Sequence, residues 1–178
     1  MPSDTETAIR VLTAAFADDP VARWLLPGNL TADLVFAPLV QTSAAHGELA
    51  VAADGTAAAV WLPRAAEPPV PDGEPLPDAL ARLRTFMELT EARHPTGRPH
   101  LYLVFLGVAP GAQGRGLGGA LLRERLARAD ADGLPAYLEA TSPGSRALYE
   151  RHGFRDTGAP IQLPDGPPVW PMWRAARS

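Results

Sequence analysis

Five glycines, Gly111, Gly114, Gly116, Gly118 and Gly119, fall between an apolar run and a helix-forming run in "LYLVFLGVAPGAQGRGLGGALLRERL". A strand that ends in glycines before a helix leaves backbone amides unpaired, and the helix dipole adds partial positive charge there. Such a turn suits a phosphate or pyrophosphate, and Arg115 can add a full charge. No Gly-Lys-Ser/Thr follows, which argues against a nucleoside-triphosphate loop, and the spacing is not that of a dinucleotide-binding fingerprint. A tight turn with close helix packing is the alternative. Two further residue types invite chemistry. Glu139 is a carboxylate in the otherwise apolar "LPAYLEA", so it must face a cleft or a partner, because burying it alone is too costly. Tyr149, in "LYERHGF", carries a phenol that can donate a hydrogen bond or simply pack a helix.

The elements that must position these groups read clearly from periodicity. Ile9, Leu12 and Phe16 give a first helix, capped by Asp4 or Thr5 and stopping near "ADDP" before Pro20. A second runs from Thr31 or Asp33 to about His46, with Leu34, Val35, Leu39 and Val40 as its apolar stripe. "ELAVAADGTAAAVWLP" reads as a hairpin turning at Asp54-Gly55. Pro63 to Pro77 reads as a surface loop. Asp78–Arg93 is helical, with Leu80, Leu83, Phe86, Met87 and Leu89 inward. Strand Leu101–Val108, helix Gly116–Ala131, strand Leu134–Ala140 and a helix opened by Ser142-Pro143 and closed by Gly153 follow. Two terminal strands join through Asp165-Gly166. This order predicts an α/β layer fold in one domain, residues 1–178, with a mixed sheet flanked by helices. The sheet is antiparallel at the front and parallel across the central crossover.

Composition narrows the function classes. The 178 residues are 46% hydrophobic and 20% charged, with a formal net charge of −4, so no excess of cations recommends nucleic-acid binding. There is no cysteine, hence no disulfide, thiolate nucleophile or cysteine-based zinc site, and the histidines have no metal-ligand spacing. No leader and no apolar run of membrane-spanning length is seen, which predicts a cytoplasmic protein without a membrane partner.

"VAPGAQGRGLGGALL" resembles the acetyl-CoA-binding motif of the GNAT superfamily of N-acetyltransferases, with Gln113, Gly116 and Gly118 in its Q/R-x-x-G-x-G/A positions. "LYERHGF", Leu148 to Phe154, is similar to the superfamily's second signature, one strand downstream. Further fragments, including "AAFADDP", "GLPAYLEATSP" and "PDGPPVW", are similar to members that acetylate aminonucleosides. Members usually begin with a strand before the first helix. This chain starts almost at that helix, so the sheet is expected to lack its first strand and to leave the hairpin edge open.

The resemblance implies transfer of acetyl from acetyl-CoA to a primary amine of a small molecule, aminonucleoside or antibiotic-like, by direct attack in a ternary complex. It implies pyrophosphate binding at Gln113, Gly114, Arg115, Gly116, Leu117 and Gly118. Pantetheine binding falls to Leu106, Gly107 and Val108, with an amide near Val108 facing the developing oxyanion. Tyr149 holds the general-acid position, and Glu139 is the candidate base, or else a structural carboxylate paired with Arg146 or Arg151. His100 and Tyr102 share a strand face and can serve a water relay, although a solvated His100 is the plainer reading. Asp18, Asp19 and Trp24 are expected at the acceptor pocket, with helix capping as the alternative for either aspartate. Ser142 stands where many members have a cofactor-touching asparagine, and it can instead cap its helix. A non-catalytic CoA-binding sensor and a protein or peptide N-acetyltransferase are the competing functions. The open edge is compatible with a monomer or a homodimer.

Overall fold

The computed structural model describes residues 2–26, 33–67 and 78–177. Helix α1 spans Asp4–Phe16 and is capped by Ser3, not by Asp4 or Thr5. Ser3 alone has a glutamate three residues on. Its hydroxyl accepts from the Glu6 amide at 3.2 Å, while Glu6 accepts from the Ser3 amide at 2.7 Å. Pro20 does more than stop this helix: it opens a short second one, α2 (Pro20–Leu25). Asp19 caps α2 through Oδ1, which accepts from the Val21 and Ala22 amides at 2.9 Å each. Helix α3 covers Asp33–Ala45; the proposed start at Thr31 lies outside the described residues. Its buried stripe is Phe36, Val40 and Ser43, rotated from the expected one, so that Leu34 is 55% exposed.

Strands β1 (Leu49–Val51) and β2 (Ala57–Arg64) form the expected hairpin, with Gly55 at φ +66° in the turn. Pro63 and Arg64 extend β2 rather than beginning a loop, and residues 68–77 lie outside the described part. A 3-10 turn over Asp78–Leu80 leads into α4 (Ala81–Glu91), whose Leu83, Phe86 and Leu89 pack inward while Met87 is 53% exposed. Then come β3 (His100–Val108), α5 (Leu117–Ala131), β4 (Ala136–Ala140) and α6 (Pro143–Arg151). The tail holds three strands where two were expected: β5 (Arg155–Asp156), β6 (Ile161–Gln162) and β7 (Pro168–Arg174). The β6–β7 hairpin turns at Asp165-Gly166; β5 adds two residues on the far side of β7.

The sheet order is β1-β2-β3-β4-β7-β5, with β6 also paired to β7. Strands β1, β2 and β3 are antiparallel, β3 and β4 parallel, and β4 and β7 antiparallel. Both faces are covered. Ala57, Ala59, Trp61, Leu101, Leu103 and Leu138 meet Leu122 and Leu126 of α5. Ala58 and Val60 on the opposite face meet Val11 and Leu12 of α1 and Phe36 and Val40 of α3. A third cluster joins α2, α4 and the β6–β7 hairpin through Val21, Trp24, Leu25, Ile161 and Leu163. Among the described residues no strand precedes α1, and β1 stands at the sheet edge, paired with β2. No helix there is long and apolar enough to cross a membrane.

Candidate functional site

The site begins where two central strands part. β3 and β4 pair from Leu101↔Ala136 only to Leu103↔Leu138. Beyond that point β3 stays with β2 as far as Val108↔Ala57, and β4 stays with β7 as far as Ala140↔Trp170. The backbone edge of Val104–Val108 that would face β4 therefore has no strand partner among the described residues. A half-buried strand edge with free amides and carbonyls is suited to an extended, amide-bearing ligand. Leu106, Gly107 and Val108 lie along it. Gly107 also answers a packing need: a Cβ there would come within 3.0 Å of Ala15 and Leu12 of α1.

The glycine loop closes this cleft at the end of β3. The Ala112 amide bonds to Ala109 at 3.0 Å and the Ala120 amide to Gly116 at 2.9 Å. Between them, the amides of Gln113 to Gly119 have no backbone acceptor among the described residues. Gly111, Gly114 and Gly116 adopt φ of +84°, +76° and +78°, a conformation disfavoured for other residues, and each opens onto empty space. Gly116 is the N-cap of α5 and Leu117 its first residue. Gly118 lies against the side chains of Val108 and Leu106, tying the helix start to the strand. The Gln113 side-chain amide donates to the Val108 carbonyl at 3.4 Å. Arg115 does not stand free: it pairs with Asp54 of the β1–β2 turn at 3.8 Å, both exposed. The open amides, the left-handed glycines and the unpaired edge fit the pyrophosphate and pantetheine of acetyl-CoA.

Glu139 is the first residue of β4 past its last pairing with β3. Its Oε2 accepts from the Tyr102 hydroxyl at 2.6 Å, and its Oε1 is buried without a partner. Tyr137's hydroxyl faces the carboxylate closely enough to bias its ionisation, without hydrogen bonding to it. Burial pushes the Glu139 carboxyl up to about 7, against the opposing pull of the two tyrosines and Arg64. Neither Arg146 nor Arg151 pairs with it; Arg146 bonds Asp156 instead. His100 is not solvated but 1% exposed.

Tyr149, on α6, is 7% exposed and packs edge-on against Phe154. Its hydroxyl has no hydrogen-bond partner among the described residues. Burial, and then the charge of Asp19, push its pKa well above the usual phenol value, so it keeps its proton. Asp19 reaches this region through Oδ2, which accepts from the Thr141 hydroxyl at 2.7 Å, while Oδ1 caps α2. The aspartate thus joins α2 to the end of β4. Its companions are placed differently. Asp18 points into solvent and pairs with Arg23. Trp24 is buried in the third core cluster, its indole N–H donating to the Pro164 carbonyl at 2.9 Å, so it has no free polar group for a ligand. Ser142 is committed to its helix, sharing a capping box with Ser145.

Sequence reasoning missed Thr141, and with it the role of Asp19 as a tie between elements. It also missed His94, which lies 2.9 Å from His100 through the two Nε2 atoms. The two-residue spacings of His100 and Tyr102, and of Tyr137 and Glu139, which put each pair on one strand face, hinted at this cluster; contacts 37 residues apart leave no local pattern.

Comparison with known proteins bears on the family and the fold. Residues 79–154 match the acetyltransferase (GNAT) family. A 52-residue stretch is 48% identical to mycothiol acetyltransferase of Streptomyces avermitilis, covering 28% of this chain but only 17% of that protein. The structure of histone acetyltransferase HPA2 and related acetyltransferase from Corynebacterium glutamicum superposes with a TM-score of 0.63 at 26% identity, over 100% of this chain and 96% of that one. Arylalkylamine N-acetyltransferase 2 from Aedes aegypti shares the fold at a TM-score of 0.69 and 14% identity, over 97% and 94% of the two chains. The match to the acetyltransferase (GNAT) family thus takes in β3, the glycine loop, α5, β4 and α6, and the chain as a whole shares the fold of the Corynebacterium glutamicum acetyltransferase.

Proposed function

We propose that this protein is an acetyl-CoA-dependent N-acetyltransferase that modifies a primary amine of a small molecule by direct attack in a ternary complex. The observation that carries the reading is the parting of β3 and β4 beside an open glycine loop, with an unpartnered carboxylate oxygen at the start of the gap. In this reading the amides of Gln113 to Gly118 hold pyrophosphate, and the free edge at Leu106, Gly107 and Val108 holds pantetheine. Bound acetyl-CoA supplies an activated acetyl group: the amine nitrogen bonds to the carbonyl carbon, the carbon–sulfur bond breaks, and sulfur leaves with the electron pair.

The chain's own residues manage the protons and the charge. Glu139, ionised above about pH 7, takes the proton that the amine must shed, onto the oxygen Oε1 that has no other partner. Tyr149 keeps its proton at neutral pH and offers its free hydroxyl to the leaving sulfur. A backbone amide near Val108 stabilises the charge that develops on the carbonyl oxygen, a contribution of about 2.7–4 kcal/mol for such donors. Asp19 orients α2 and the end of β4 through its cap and Thr141, and so acts here as a positioning residue.

A small amine acceptor draws support from the Aedes arylalkylamine N-acetyltransferase, which shares this fold, and from fragments such as "GVAPGAQGRGLG" and "GLPAYLEATSP" that resemble puromycin N-acetyltransferase. Aminonucleosides are therefore the first acceptors to try. The test is thiol release from acetyl-CoA with aminonucleosides, arylalkylamines, polyamines and peptides. Turnover on a small amine, lost in Glu139→Gln, is expected. Turnover confined to peptides would overturn the acceptor class, and full activity of Glu139→Gln would overturn the base.

A further inference from the structure

Glu139 is covered by a group of rings that the acetyl-transfer scheme leaves unused. His94 follows α4 and lies edge-on to Tyr102 and Tyr137, with ring centroids 4.9 and 4.6 Å apart. These are the two tyrosines whose hydroxyls face Glu139. Behind His94 stands His100, buried at the start of β3, and its ring also contacts Tyr137 and Trp173.

The hydrogen bonds fix the protons of this pair. His100 Nδ1 lies 3.0 Å from the Arg98 carbonyl, which can only accept, so Nδ1 carries a proton. The two Nε2 atoms are 2.9 Å apart and need a single proton between them. In neutral His100 the proton is on Nδ1, so Nε2 accepts and His94 Nε2–H donates. A protonated His100 would set two N–H groups head to head unless His94 moved its proton to Nδ1. Arg64 adds to this: its guanidinium sits 5.4 Å over the Tyr102 ring and disfavours charge on either histidine. Burial holds His94 down at about 3. Burial and Arg64 hold both imidazoles below their ordinary value, which favours the neutral, directed pair.

We infer that His94 and His100 are positioning residues: their locked pair clamps Tyr102 and Tyr137 over Glu139 and keeps water away from its carboxylate. The inference rests on Glu139 as the base. The other groups that face Glu139 are Arg64 of β2 and Glu91 at the end of α4, which pair with each other at 3.3 Å. Arg64 favours the carboxylate and Glu91 disfavours it, so neither accounts alone for the enclosure. The ring of His94 is what spans both tyrosines, and it comes from the turn that joins α4 to β3.

The experiment reads Glu139 directly. With 13C-labelled glutamate, the Glu139 Cδ resonance, assigned by its loss in Glu139→Gln, is titrated in the wild type and in His94→Ala, alongside the pH profile of kcat/KM. Removing the ring admits water, and the Cδ midpoint is expected to fall by at least about one pH unit from near 7, towards the ordinary carboxylate value. The kinetic midpoint should follow, with the KM for acetyl-CoA within about twofold. His94→Gln, whose side-chain amide can still donate to His100, should recover part of the shift. An unchanged Cδ midpoint in a folded His94→Ala overturns the inference. A Cδ midpoint that moves without the kinetic one sustains the clamp and overturns Glu139 as base instead. Should His94→Ala fail to fold, the smaller replacement His94→Asn is expected to give the same fall, and its absence is equally decisive.

Discussion

Tyr149 and Glu139 owe their different proton affinities to their surroundings. Tyr149 is buried beside Phe154 within reach of the Asp19 charge, which keeps the phenol protonated. Glu139 loses solvation with only one hydrogen bond in return, which raises its carboxyl to about 7. Tyr149→Phe should lower kcat about tenfold or more while acetyl-CoA affinity, measured by calorimetry, changes less than about twofold. The kcat/KM profile should rise through a midpoint near 7 and show no fall from Tyr149 below pH 10. Stability carries the opposite sign. The native state holds the Glu139 proton up to about 7, whereas the unfolded chain releases it near 4.5, so Glu139 costs stability progressively between those values. His94 works the other way, adding stability as pH rises from about 3 towards 6.5. Subtracting the melting curves of Glu139→Gln isolates the first effect: the variant should gain on the wild type between pH 5 and 7.5, by on the order of 1–3 kcal/mol.

At the scale of elements, the cleft depends on two junctions. Gly107 lets α1 lie close on β3, and Gly116 starts α5 in a left-handed conformation. Gly107→Val should destabilise the fold by about 1–3 kcal/mol through overpacking against Leu12 and Ala15, read as a lower midpoint in urea. Gly116→Val opens onto empty space, so its effect should be strain of about 1–2 kcal/mol together with loss of acetyl-CoA binding. These elements were legible because each has a local signal: Asp54-Gly55 between apolar runs, Ser142-Pro143 before α6, and apolar periodicity in α1 and α4. The misreadings share a cause. Leu34 and Met87 fit an apolar stripe by spacing, but the partner layer that selects the buried face is not local. Pro20 signals a helix end and a helix start with the same residue, so α2 was hidden. Trp24 looked like a ligand-facing aromatic, yet the β6–β7 hairpin, 140 residues on, covers it.

For the molecule as a whole, the mixed sheet sets an open glycine loop and a free strand edge at the end of β3, with Glu139 where β3 and β4 part and Tyr149 on the helix that follows β4. The open loop was readable as glycines in sequence. The environment of the carboxylate was legible only in part: Tyr137 shares its strand, whereas Tyr102 and Arg64 act on it from β3 and β2, and His94 packs on the two tyrosines from the turn after α4. In the proposed function this region transfers acetyl to a small amine rather than merely binding CoA. The direct measurement is thiol release from acetyl-CoA over the amine panel, run beside calorimetric CoA binding. We expect turnover on at least one small primary amine, abolished in Gly116→Val and slowed in Tyr149→Phe. Intact CoA binding with no thiol release on any amine would contradict the account and mark the fold as a CoA sensor.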